Sequence, residues 1–267
     1  MVIKADGRLE NMYPVILQLS DQLAIQSYGV AIACGLLLAY FLAERDIQKS
    51  GLISRSTLDE LTAYIIIAVL VGGRVWHRIT EPEFYQSWYE TVVPWLGGYS
   101  VMGSTIAALC VGIWYIQKRS LDLWKLFDLV GSYAPLVQAF GRIGCFLAGC
   151  CFGAPATVLW AVWYSHPATL APRNCWLHPA QLYSALLFFG IFGLLYLLRK
   201  KSLRAGSIGL IYLIAACGER FIVDFWRGDQ VAAPLFSVNQ WVALALGLGA
   251  LILLMYRTTR HGSLSVH

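Results

Sequence analysis

The chain is poor in charge. Only 13% of its 267 residues are Asp, Glu, Lys or Arg, while 58% are hydrophobic and the mean hydropathy is +0.61. A water-soluble domain carries roughly 25% charged residues. A chain so short of charge would leave apolar surface in water, so the bilayer is its expected solvent. The formal net charge of +5 does not point to nucleic acid, because the basic residues sit in short loops between apolar runs. No signal peptide is expected, because the first 24 residues lack a basic stretch followed by an apolar core. Asp6, Glu10 and Asp21 stand where a signal peptide would carry a basic stretch and an apolar core, so the first apolar run is expected to stay as a helix. There is no internal repeat and no low-complexity tract, which leaves a single polytopic membrane domain over 1–267. Seven cysteines do not make a disulfide framework in a chain of this size. Cys34, Cys110 and Cys217 lie inside apolar runs, where cysteine packs as a small hydrophobe.

What is present is a series of apolar runs. A membrane-spanning helix needs about 20 mostly apolar residues. Such runs lie near 25–43, 60–79, 98–117, 124–142, 178–198, 206–225 and 238–256. They predict an all-α membrane protein with about seven transmembrane helices. The fourth run is the least regular, since it holds Asp128, Pro135 and Gln138.

Loop charge sets orientation, because basic loops stay cytoplasmic. Arg45, Lys49 and Arg55 follow the first run, and Lys118, Arg119 and Lys125 follow the third. Arg199, Lys200, Lys201 and Arg204 follow the fifth, and Arg257 and Arg260 follow the last. Residues 80–97 hold Glu81, Glu83 and Glu90 but no Lys or Arg, and residues 143–177 hold only Arg173. The expectation is a bacterial inner-membrane protein with its N-terminus outside and its C-terminus cytoplasmic. The extracytoplasmic segments then fall near 80–97 and 143–177.

Ionisable groups at membrane depth are costly and mark function by default. Here they gather at the ends of the even-numbered runs, in GGRVWHR (72–78), GRIGCFLAGCCFG (141–153) and ERFIVDFWRGD (219–229). Arg74, Arg142, Arg220 and Arg227 are therefore expected on one side of the bilayer, with Glu219 and Asp224 offsetting part of their charge. Arginine forks bind phosphate bidentately, and the abundant phosphate in a membrane is a phospholipid headgroup. The bland alternatives are snorkelling at a helix end and an Arg220–Asp224 pair at i,i+4 that is purely structural. The glycines from Gly141 to Gly153 suggest a non-helical or re-entrant segment. His178, Gln181 and Tyr183 are polar groups at the start of the fifth run. His178 reads as a hydrogen-bonding partner or as a general base.

These segments, in this order, resemble the prolipoprotein diacylglyceryl transferase family over about residues 13–250. YPVI with IQSYGV (13–16 and 25–30) is similar to the family's first-helix entry, and GGRVWH to the end of its second helix. GRIGCFLAGCCFG resembles the signature G-R-x-x-N-F-x-N-G-E-x-x-G. HPAQLY (178–183) resembles HPSQLYE, ERFIVDFWRGD resembles R-F-x-x-E-F-x-R, and FSVNQW (236–241) resembles the following S-x-x-Q. The resemblance implies a seven-helix body with a small periplasmic head. It also implies a reaction that moves the diacylglyceryl group of phosphatidylglycerol onto the thiol of a lipobox cysteine in a prolipoprotein signal peptide. On that reading Arg142 and Arg220 bind phosphate, Tyr28 hydrogen-bonds the headgroup and Asp224 orients Arg220. Arg74, Gly153, His178, Gln181, Tyr183 and Arg227 line the substrate site.

The chain departs from the family pattern at several positions. Cys145, Ala148 and Cys150 replace the signature's Asn, Asn and Glu, Ser184 replaces the Glu after HPSQLY, and Met102 stands where the family often has a proposed His base. These departures leave open a different acceptor, or a non-catalytic lipid-binding protein. For Cys145, Cys150, Cys151 and Cys175, an extracytoplasmic disulfide from Cys150 or Cys151 to Cys175 is expected. Free thiols and a nucleophilic role stay open. C-x4-CC is not a standard metal spacing, so neither a metal nor a cofactor is expected.

Overall fold

The computed structural model describes residues 2–3, 9–10, 13–19, 24–93, 98–229 and 235–262. Asp6, Asp21, Gly97 and the rest of 94–97 lie outside the described residues, as do the side chains of Glu10 and Arg260. Seven α-helices are found among the described residues: α1 Ser27–Ser50, α2 Arg55–Thr80, α3 Val101–Lys118, α4 Leu123–Ala148, α5 Ala180–Leu198, α6 Ser207–Val223 and α7 Val238–Gly262. Each falls on one of the apolar runs. α1, α3, α5 and α7 are long and apolar enough to cross a membrane. The other three carry charges set away from open solvent: buried Arg74 in α2, half-buried Asp128 and Arg142 in α4, and buried Glu219 with half-buried Arg220 in α6. Charge within a helix lowers its apolarity.

The chain falls into two compact units. One comprises residues 19–24 and 43–123 and is built on α2 against α3. Ser54 caps α2 by accepting from the Thr57 amide, and Ser100 caps α3 by accepting from Gly103. Such caps satisfy the amides a helix start leaves free. The two helices are pinned by Ser104, which donates to the Val69 carbonyl (2.8 Å), and by buried Tyr115, which donates to Glu60 (2.8 Å).

The other unit comprises residues 1–18, 25–42 and 124–267. It holds the start of α1, then α4 to α7 and two small sheets. β3 (Val15–Gln18) and β4 (Ala24–Gln26) pair ahead of α1, where the Ser27 amide reaches the Pro14 carbonyl (3.0 Å). The second sheet is ordered β1-β2-β5-β6, from Val2–Ile3, Leu9–Glu10, Val162–Trp163 and Trp176–Leu177. β2 runs parallel to β5, with Leu9 opposite Val162, and β5 runs antiparallel to β6, with Val162 opposite Leu177. Behind it Phe146, Val162, Tyr164, Ala171 and Leu177 form a buried core of their own. The segment after α4 is thus a small folded body rather than a loose loop.

Asp128, the residue that made the fourth run look irregular, has a partner. Its carboxylate accepts from the amides of Gly206 (2.7 Å) and Gly209 (2.9 Å) at the start of α6. A helix N-terminus exposes such donors and carries partial positive charge. α4 therefore caps α6 from across the unit. α4 itself runs on through Pro135 to Ala148, which corrects the non-helical reading of Gly141–Gly153. Within the helix, Gly144 provides close approach: a Cβ there would lie 3.1 Å from the Tyr28 Cα in α1. The chain leaves helical geometry only at Gly149.

Candidate active site

The site grows out of that turn. Gly149 takes φ +76° and Cys151 φ +56°, both left-handed. Glycine adopts this freely and a cysteine only under constraint. The amides of Gly149 (2.9 Å) and Cys150 (3.1 Å) both donate to the Cys145 carbonyl and close the helix. Two residues on, the backbone is held from both sides. The Ala154 amide donates to the Trp226 carbonyl (2.8 Å), Gly228 donates to Phe152 (3.0 Å), and His178 donates to Ala154 (2.9 Å). Gly153 pairs with Arg227 in this ladder. A Cβ on Gly153 would stand 2.3 Å from the His178 carbonyl oxygen, so only glycine fits. The structure thus brings Gly153, His178 and Arg227 together. Tyr183 joins them, its hydroxyl 3.1 Å from His178 Nδ1 and accepting from Trp160 Nε1 (2.6 Å).

The arginines converge in the same unit. Arg220 faces Asp224 at 3.1 Å, and Arg227 lies 4.0 Å from the same carboxylate oxygen. Arg227 also forms a bidentate pair with Asp229, at 2.8 and 2.6 Å. Asp224 is buried and takes a hydrogen bond from the Ser237 hydroxyl. Arg142, Arg220 and Arg227 all act electrostatically on buried Glu219, which the Ser184 hydroxyl also bonds. Among the described residues no hydrogen bond or ion pair to Arg142 is found. It is a guanidinium beside two other arginines whose nearest acids are already engaged. Tyr28, half-buried at the start of α1, lies within electrostatic reach of Arg142 and of the thiols of Cys145, Cys150 and Cys151.

The thiols form the floor of the cluster. All seven cysteines are free, so the expected link from Cys150 or Cys151 to Cys175 is not formed. Cys175 Sγ instead meets the Pro172 carbonyl at 3.6 Å. The sulfurs of Cys145, Cys150 and Cys151 lie within 4.8 Å of one another. The Cys151 thiol is held well below the ordinary thiol range, first by hydrogen bonds from Cys145 and Cys150, then by the charges of Arg227 and Arg142. Gln181, 1% exposed, donates to the Cys150 carbonyl (2.8 Å) and to the Tyr164 hydroxyl (3.2 Å). Tyr164 went unnoticed at the sequence level, because it meets Gln181 across 17 residues and the Phe146 carbonyl across 18. Ser237 and Ser184 showed there only as positions in a pattern, since Ser237 finds Asp224 across 13 residues and Ser184 finds Glu219 across 35.

Arg74 belongs to the other unit. It is 4% exposed, and its guanidinium donates to the carbonyls of Thr91 (3.1 Å), Gly98 (3.2 Å), Val93 (2.7 Å) and Glu90. It also stacks 5.3 Å from the rings of Tyr85 and Tyr99. The structure uses its donors to hold the backbone at Glu90, Thr91, Val93 and Gly98.

Comparison with known proteins identifies the family. Residues 14–256 match the family described as prolipoprotein diacylglyceryl transferase. A phosphatidylglycerol–prolipoprotein diacylglyceryl transferase of Clostridium tetani (strain Massachusetts / E88) is 32% identical over 234 residues, covering 87% of this chain and 93% of that protein. A protein of the same description from Tolumonas auensis (strain DSM 9187 / NBRC 110442 / TA 4) is 32% identical over 255 residues, or 92% of this chain and 95% of that one. One from Ligilactobacillus salivarius (strain UCC118) is 28% identical over 251 residues, or 91% and 93%. The chain belongs to the prolipoprotein diacylglyceryl transferase family, and by that membership it is a transferase built on apolar, membrane-type helices.

Proposed function

We propose that this protein moves the diacylglyceryl group of phosphatidylglycerol to the cysteine thiol of a lipobox-containing prolipoprotein signal peptide. The peptide sulfur attacks the glyceryl carbon that bears the phosphate ester. A C–S bond forms, the C–O bond breaks, and glycerol 1-phosphate leaves with the electron pair. The thiol proton is given up to a base or to water. The leaving phosphate must be held and its charge met as it develops, the task of preorganised donors. The observation that carries this reading is Arg142, without a hydrogen bond or ion pair among the described residues and set beside Arg220 and Arg227. In this account Arg142 and Arg220 bind the phosphate, Asp224 orients Arg220, and Tyr28 hydrogen-bonds the headgroup. Gln181, His178, Tyr183, Gly153 and Arg227 shape the walls. Arg74 acts at one remove, by holding the backbone at Glu90, Thr91, Val93 and Gly98.

The same reading takes the seven helices as seven spans in the bacterial inner membrane, with the N-terminus outside, the C-terminus cytoplasmic and residues 143–177 as a small periplasmic head. It treats the chain as one polytopic domain.

A second reading keeps the lipid donor and changes the acceptor. Met102 favours it: a methionine at the position of the family's proposed base takes no proton. Purified protein incubated with labelled phosphatidylglycerol and a lipobox peptide separates the two. Lipidated peptide with glycerol phosphate supports the first reading. Glycerol phosphate without lipidated peptide supports the second. Neither product, with lipid still bound, rejects both in favour of a non-catalytic lipid-binding protein.

A further inference from the structure

Three thiols are more than the transferase reading needs. Cys145 sits on the last turn of α4, with 8% of its surface exposed. The left-handed turn at Gly149 and Cys151 folds the next two cysteines back over it. The result is three sulfurs within 4.8 Å of one another, none of them in a disulfide. An odd set of thiols cannot be completed by disulfides among themselves.

We propose that Cys145, Cys150 and Cys151 form a trithiolate site for a soft d10 cation, Cu(I) or Zn(II). Metal–sulfur bonds of about 2.3 Å in a plane set the sulfurs about 4 Å apart, so the observed cluster needs only a small contraction. The ligand set is all sulfur, which selects soft metals over Mg(II) or Ca(II). No acid competes within the set. Three thiolates at one point repel, and here Arg227 and Arg142 supply positive charge close enough to act on Cys151. The shell behind the ligands is also ordered. Gln181 fixes the Cys150 carbonyl at 2.8 Å and is itself held by Tyr164. Its own Oε1 is buried without a hydrogen-bond partner among the described residues. Outer-shell contacts of this kind orient ligands and tune affinity. A bound cation would clasp the end of α4 to the segment that leads into Gly153 and Arg227, and so fix the turn on which Arg142 stands. This goes beyond the proposed transfer, which does not call on a metal.

The full-length protein, purified in detergent and reduced under anaerobic conditions, is loaded separately with Zn(II) and with Cu(I) as its acetonitrile complex. Free metal is then removed and the bound metal measured by mass spectrometry. The expected result is about one equivalent per chain of one or both metals, with X-ray absorption showing sulfur-only ligation. That equivalent should persist when Cys34, Cys110, Cys175 and Cys217 are all replaced by Ser, and vanish in Cys145→Ser and Cys151→Ser. If those two variants do not fold, alkylation of the wild-type protein decides: metal should slow iodoacetamide labelling of these three cysteines by about tenfold or more and leave Cys175 unchanged. No stoichiometric uptake of either metal would overturn the proposal. So would uptake that survives both substitutions, or labelling rates that metal does not change.

Discussion

Gly153 has no room for a side chain. Its missing Cβ is occupied by the His178 carbonyl, and its own carbonyl oxygen lies 2.7 Å from where a Cβ on Gly228 would be. Gly153→Ala is therefore expected to push apart the ladder that sets Arg227 beside Asp224. A backbone clash of this sort is a strain mechanism worth about 1–3 kcal/mol. The thermal midpoint in detergent should fall, and glycerol phosphate release should fall further than the loss of folded protein explains. Release that tracks the folded fraction alone would mean that the ladder holds the fold and nothing more. The need for glycine at 153 was visible in the sequence only as one member of a glycine-rich run. Which glycine serves a turn, which serves helix packing and which meets another strand depends on partners far along the chain. Gly144 turned out to pack on Tyr28 inside a helix, and Gly149 to make the turn.

At the scale of elements, Asp128 is the informative case. A carboxylate inside an apolar run looks like a defect when only its own helix is considered. Its purpose is set 78 and 81 residues away, at the amides of Gly206 and Gly209. Losing an N-cap acceptor costs about 1 kcal/mol, up to about 2. Asp128→Ala should lower stability by that amount, and hydrogen exchange should rise first at the opening turn of α6. Exchange that rises evenly over α4 and α6 would contradict the capping role. The places of all seven helices were legible, since each follows from a continuous apolar run and such runs are local. The small sheets were not. β1, β2, β5 and β6 are two residues each, too short for an alternating pattern to show. The ends of helices were also misjudged where charge or glycine interrupts the run, as α4 demonstrates by continuing to Ala148.

For the whole molecule, loop charge carries the orientation. Lys200 and Lys201 follow α5 in a basic loop, which this account places in the cytoplasm. A membrane-impermeant amine reagent should label them in inverted vesicles and spare them in intact cells. Labelling in intact cells would reverse the orientation and move the arginine cluster to the other face. The candidate site was partly legible at this scale. Arg142, Arg220, Arg227 and Asp224 announced themselves as charges in apolar surroundings, and the structure gathers them in one unit. Arg74 announced itself in the same way, yet its donors go to four backbone carbonyls. Charge in an apolar run identifies a residue that needs a partner; only the fold says whether that partner is a ligand or the protein itself.

The central claim is that Arg142 and Arg220 hold the phosphate that leaves phosphatidylglycerol. The direct measurement is the rate of glycerol phosphate release by the wild-type protein, Arg142→Ala and Arg220→Ala under single-turnover conditions. Removing one preorganised donor typically costs about 10²–10³ in turnover. Each variant should slow by that factor, and the thermal midpoint of Arg142→Ala should stay close to that of the wild type. Wild-type release rates in both variants would contradict the account.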